Sequence, residues 1–147
     1  MNIIDCEISD DRSRIDIARV HEMLSRTSWS PGISAEELQK GIENSVLVVG
    51  IYHPEFGQIG FMRVLSDTIR FAYIMDVVIY ERFRRQGLGK KMVSYACNHP
   101  SLSKVYRWLL ATSDAHGVYQ KLGFRPLAKP DTWMMIDKGI PVFPREM

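Results

Sequence analysis

Apolar positions recur along this chain in two rhythms. Ile17, Val20, Met23 and Leu24 fall at helical spacing and predict a helix over about 16–28. Trp29-Ser30-Pro31-Gly32 breaks it. Ser34 suits an N-cap, with Glu36 and Glu37 in the first turn, and predicts a second helix ending near Asn44. The strand rhythm begins with a short, mixed segment at 2–9. A β-branched run at 46–52 then stops at His53-Pro54 and turns at Glu55-Phe56-Gly57, and 58–66 returns as the second arm of a hairpin. The stretch 71–79 reads as the longest and most apolar strand, central and buried on both faces, interrupted only by Asp76. Leu88, Met92, Val93 and Ala96 then share one face of a helix over about 88–98, closed by Pro100. A strand at 105–111, a short helix at 115–122 capped by Gly123, and two last strands, from Phe124 and over 132–136, complete the chain. The order β-α-α-β-β-β-α-β-α-β-β describes one mixed α/β domain, expected to span 1–147.

Composition narrows the function classes. The 147 residues are 46% hydrophobic and 24% charged, which is ordinary for a globular domain and excludes a fibre, a coiled coil or a disordered chain. Nineteen Lys and Arg against seventeen Asp and Glu leave a net charge of +2, too balanced for a nucleic-acid binder held by charge. Cys6 and Cys97 show no pairing pattern and read as reduced thiols, and no secretory signal or spanning apolar run is visible. A cytoplasmic protein with no membrane partner and no metal is the expectation.

Chemistry concentrates in Asp76-Val77-Val78-Ile79-Tyr80-Glu81-Arg82-Phe83-Arg84-Arg85-Gln86-Gly87-Leu88-Gly89-Lys90-Lys91. An apolar strand runs into a basic, glycine-containing loop and a helix starts at once. Glycine allows close backbone approach, and the free N–H groups of a first helical turn suit an anion such as a diphosphate. Arg82, Arg84, Arg85, Lys90 and Lys91 add positive charge in the same stretch. The segment is neither a P-loop, for want of Gly-Lys-Ser/Thr, nor a dinucleotide fingerprint, because Met92 stands where a third glycine is required. Asp76, an acid in an apolar strand, needs a partner or a purpose.

Arg84-Arg85-Gln86-Gly87-Leu88-Gly89, followed by Ala115-x-x-Val118-Tyr119-x-Lys121-x-Gly123-Phe124, resembles the GNAT superfamily of N-acetyltransferases. The two motifs span about 50 residues, and the element order fits the fold over nearly the whole chain. The resemblance implies a central, mixed, mostly antiparallel sheet of about six or seven strands flanked by about four helices. It implies acetyl-CoA as co-substrate, with Val77, Val78 and Ile79 holding the pantetheine arm. The diphosphate would rest on Arg84, Arg85, Gln86, Gly87, Leu88, Gly89 and Lys90. An amine would attack directly, with no acyl-enzyme, and Tyr119 would protonate the departing thiolate. Asp76 is the leading candidate for the general base, with Glu81, His116 and His21 as others and Cys97 as packing. Thr112 stands where the family commonly has Asn beside the pantetheine arm, so that contact differs here. Trp29, Phe71 and Tyr73 are the candidate acceptor-binding aromatics, with Tyr52 and Trp133 further from the argument. Thus the expected activity is acetyl transfer to a primary amine of a small molecule or peptide. The alternative is a catalytically weak acyl-CoA-binding sensor or interaction module on the same fold. A loop binding phosphorylated ligands or RNA is a third reading, disfavoured by the +2 charge. Edge strands or residues 141–147 could pair two copies in a homodimer.

Overall fold

The computed structural model describes residues 5–27, 30 and 32–139. The chain divides into two compact units, Met1–Ala111 and Thr112–Met147.

In the first unit, sequence-encoded caps set the helices. Helix α1 (Ile17–Ser25) begins where the Asp16 carboxylate accepts from the Arg19 N–H. Helix α2 (Ala35–Glu43) begins with a reciprocal pair: the Ser34 hydroxyl accepts from the Glu37 N–H, and the Glu37 carboxylate accepts from the Ser34 N–H. Both starts match the sequence expectation to within a residue. Strands β1 (Glu7–Ser9), β2 (Leu47–His53), β3 (Gly57–Ser66), β4 (Ala72–Ile79) and β5 (Trp108–Leu109) form one sheet in the order β1-β2-β3-β4-β5. The first three pairings are antiparallel and β4–β5 is parallel, so the sheet is mixed and mostly antiparallel.

Alternation along the strands builds two apolar layers. Val48, Phe61 and Val78 face α1 and α2, packing with Val20, Met23, Leu24, Leu38 and Ile42. Val49 and Met62 point the other way and are fully buried. Helix α3 (Leu88–Cys97) packs on β2, β3 and β4 through buried Leu88, Met92, Val93 and Ala96. Among the described residues no helix is long and apolar enough to cross a membrane.

The second unit contains α4 (His116–Gln120) and a short 3-10 turn at Pro130–Thr132. None of its described residues is buried.

Several expectations are corrected. The middle strand is β3, not β4, and β2 and β3 are the deeply buried ones, whereas β4 alternates between buried and half-buried positions. Its apolar side chains clothe an edge as well as a core. The strand expected at 105–111 shortens to two residues. The last two strands, from Phe124 and over 132–136, are absent from the described residues, so the sheet has five strands rather than six or seven. Residues 2–4 of the first predicted strand lie outside the described residues, as does Trp29.

Candidate functional site

The strand–loop–helix unit is built as the sequence suggests, and its anchors are aromatic. After β4 the chain makes a 3-10 turn, Glu81–Phe83, whose Phe83 is fully buried. The Phe83 ring packs against Phe56, 5.4 Å between centroids, and His53, 5.3 Å. His53 in turn accepts the Glu55 and Phe56 N–H groups at Nδ1, which folds the β2–β3 turn against the loop. From this anchor the loop rises through Arg85 at φ 65° and Gly87 at φ 78°. A Cβ at Gly87 would meet nothing within 4 Å, so glycine there answers to conformation and not to crowding.

Helix α3 starts with no side chain capping it. The Lys91 N–H donates to the Gly87 carbonyl at 3.1 Å, the first hydrogen bond of the helix. The N–H groups of Leu88, Gly89 and Lys90 therefore lack intrahelical acceptors, at the positive end of the helix dipole. Gly89 lies against β4: a Cβ there would sit 3.7 Å from Val77 Cγ1. Arg85 and Gln86 are exposed and Lys90 is half-exposed. Arg84 is tethered, its Nε donating to the Ile79 carbonyl at 3.0 Å. Arg82 lies over the Phe56 ring at 5.4 Å.

The second feature is an open strand edge. Strand β5 pairs with β4 only at Ala72↔Trp108 and Tyr73↔Leu109. Beyond Tyr73 that side of β4 has no strand partner among the described residues. The Tyr80 N–H donates to the Ile59 carbonyl at 2.7 Å, which places Val78 in register with β3 and turns the Ile79 backbone groups outward. The pairing slips by one residue between Phe61 and Arg63. Asp76 occupies the slip at φ 58°, a left-handed conformation that costs an ordinary residue roughly 1–2 kcal/mol. Its carboxylate accepts from Arg63 Nε at 2.7 Å, with the Asp76 side chain 6% exposed. Phe71 and Tyr73, exposed and half-buried, alternate onto one face at the start of β4.

In the second unit the Thr112 hydroxyl accepts from the Ala115 N–H at 3.1 Å and leads the chain into α4. The half-buried Tyr119 ring meets Phe124 edge-on at 6.1 Å. Burial, and then the Asp114 charge, push the Tyr119 phenol above its ordinary value.

The other chemical candidates have structural engagements. His21 Nε2 lies 2.6 Å from the Ile33 carbonyl, while Glu81 and His116 are exposed. Burial pushes the Cys97 thiol up to about 11, which keeps it protonated and unreactive, as packing requires. Among the described residues no group of three or more His, Cys, Asp or Glu could hold a metal ion. Sequence reasoning missed Arg63 and the Arg84 tether. Arg63 was visible only as a charge inside an apolar strand, the same signal that singled out Asp76.

Residues 44–126 match the family model described as "Acetyltransferase (GNAT) domain". A curated protein called "Uncharacterized N-acetyltransferase ycf52-like", from Prochlorococcus marinus, is 33% identical over 84 residues, 55% of this chain and 46% of that protein. A second relative, from Gracilaria tenuistipitata var. liui, is 30% identical over 100 residues, 65% of this chain and 54% of its own. The chain thus spans about half the length of the curated relatives it matches. A crystal structure of a protein assigned to the GNAT acetyltransferases, from Xanthomonas campestris pv. campestris, is 35% identical with a TM-score of 0.85, covering 92% of this chain and 95% of that one. A structure from Clostridium acetobutylicum, described with acetyl-CoA, shares the fold at a TM-score of 0.65 and 16% identity, over 90% of this chain and 95% of its own.

Proposed function

The chain belongs to the GNAT acetyltransferase family, and on that premise we propose that it transfers the acetyl group of acetyl-CoA directly to a primary amine of a small molecule or peptide. One observation carries the reading. A single strand–loop–helix unit offers the N–H groups of Leu88, Gly89 and Lys90 beyond a left-handed Gly87, and an unpaired β4 edge just before them. The first suits a diphosphate and the second an amide-containing arm that pairs as a strand would.

In this reading the backbone from Arg84 to Lys90 binds the diphosphate, with the guanidinium groups of Arg84 and Arg85 adding charge and Gln86 lining the turn. The outward backbone groups of Val77 and the outward Ile79 N–H, with Val78 fixing their register, take the pantetheine arm, while the Ile79 carbonyl holds Arg84 and Thr112 supplies a further contact. An N–H on this edge stabilises the developing oxyanion. The amine nitrogen forms a bond to the acetyl carbon, the carbon–sulfur bond breaks, and the leaving thiolate takes the Tyr119 proton. A thiol titrates near 8.5 and an ordinary tyrosine near 10. Because Tyr119 is shifted upward, it holds its proton throughout the neutral range. The amine's own proton goes to water, which returns a proton to the Tyr119 phenolate, while the Asp76 carboxylate stays committed to Arg63. Phe71 and Tyr73 offer the acceptor an aromatic face.

The test is thiol release from acetyl-CoA with a panel of amines, run on wild type and on Tyr119→Phe. The variant is expected to lose about a hundredfold in kcat while acetyl-CoA still raises its melting temperature. A fully active Phe variant removes Tyr119 from the chemistry. Acetyl-CoA binding with no thiol release from any amine would instead favour the sensor reading.

We also infer a second copy of the chain as partner. Trp133, Met134, Met135 and Ile136 are 51%, 96%, 82% and 86% exposed. Four consecutive apolar side chains this exposed are a candidate contact for that copy.

A further inference from the structure

We propose that Arg63 and Asp76 are a positioning pair, which holds the slip in β4 and thereby sets the aim of the edge from Val77 to Ile79. The proposal rests on the reading of that edge as the seat of the pantetheine arm. It replaces a proton-accepting role for Asp76 with one that acts through the backbone.

The slip is a choice of register. Ahead of it Met75 pairs with Arg63, and beyond it Val78 pairs with Phe61, so Asp76 is the extra residue on the β4 side. Were Asp76 instead paired regularly, opposite Met62, the strand would run on in its earlier register and Val77 and Val78 would exchange faces. Val77 would leave its place beside Gly89, and the outward backbone groups of Ile79 would turn toward β3. The left-handed Asp76 is therefore what lets β4 pack Val78 into the core while Ile79 faces outward.

Aspartate reaches φ 58° more readily than most residues but still less freely than glycine, and a partner for its carboxylate offsets that cost. Arg63 does so from the neighbouring strand, through the 2.7 Å charge-assisted contact of Nε with Oδ2. The guanidinium is itself fixed. Its Nη1 donates to the Ser45 hydroxyl at 3.3 Å and reaches the Gly41 carbonyl at 3.5 Å, at the end of α2. A Cβ on Gly41 would sit 3.4 Å from Arg63 Cζ, so the guanidinium lies in close contact with the helix backbone at 41. Arg12 braces the same helix end, Nη1 donating to the Ile42 carbonyl at 2.6 Å and Nη2 to that of Ser45. Thus a chain of hydrogen bonds runs from the end of α2 through Arg63 to the kink.

Glycine separates the two roles, because it adopts a positive φ with no carboxylate to hold it there. Four variants are compared: Asp76→Ala, Asp76→Gly, Arg63→Met, and Arg63→Met combined with Asp76→Gly. The alanine variant is expected to lose on the order of a hundredfold in kcat/KM for acetyl-CoA, largely through KM, as the edge is misplaced. Arg63→Met should resemble it. The double variant, which carries neither charge but keeps the left-handed bend, should recover at least about tenfold over Asp76→Ala and retain the wild-type acidic limb of its kcat–pH profile. If the double variant is no more active than Asp76→Ala, or has lost that limb, the proposal is overturned and Asp76 is the proton acceptor. Melting temperatures judge the pair independently of acetyl-CoA: the double variant should melt above Asp76→Ala, and a lower value counts against the pair. Should wild type neither gain stability from acetyl-CoA nor release thiol, the pantetheine reading fails, while the melting comparison still decides whether the pair holds the bend.

Discussion

Before Ala111 the chain buries two apolar layers against one sheet, with strand registers fixed residue by residue. From Thr112 to Gly139 it holds a five-residue helix, one 3-10 turn and no buried side chain. The proposed chemistry is divided along the same line: the diphosphate turn and the strand edge belong to the first region, Thr112 and Tyr119 to the second. The contrast teaches where preorganisation resides. The turn proposed for the diphosphate is anchored by the buried Phe83. Tyr119 is held by a ring contact with Phe124 and by local backbone hydrogen bonds, so the role proposed for it rests on local contacts.

The sharpest way to break this contrast is by truncation. Phe61 is fully buried between the helices and the sheet, and Phe61→Ala should cost about 3–5 kcal/mol in urea unfolding. Phe124→Ala should cost no more than about 1 kcal/mol. Equal losses would mean that the second region has a core of its own. Next in size is Gly87→Glu. Acetyl-CoA at a hundredfold excess over Kd should stabilise wild type by about 2.7 kcal/mol, and the variant should lose that response in a thermal melt. A retained response would move the diphosphate away from this turn. The smallest effect on folding is expected from Met134→Glu with Ile136→Glu, within about 0.5 kcal/mol at low protein concentration. Sedimentation should nevertheless fall from twice the chain mass in wild type to once in the variant. A wild type that sediments as single chains removes the second copy.

Local chemistry was legible in the sequence, and pairing was not. Ser34 and Glu37 announce a helix start because their hydrogen bonds reach only three residues. Arg84 to Gly89 announce a turn for the same reason. The place of β4 was misread because a run of apolar residues says that a strand is covered, not which neighbours cover it. Residues 132–136 have strand-forming side chains, but a strand exists only with a partner to bond, and none is present among the described residues. Asp76 announced its need for a partner, yet Arg63 becomes adjacent only once β3 and β4 are in register.

The Arg84 tether carries one last consequence. A guanidinium held by Nε at the strand's outward carbonyl keeps its two Nη groups as donors and has already given up part of its freedom, where a freely swinging side chain would have to be stilled first. Lysine could match the charge but not the double duty, for a lone ammonium on a flexible stem must choose between strand and anion. One planar fork therefore reaches from the turn back to the end of the strand, so that under the proposed reading one side chain serves both ends of the ligand's berth.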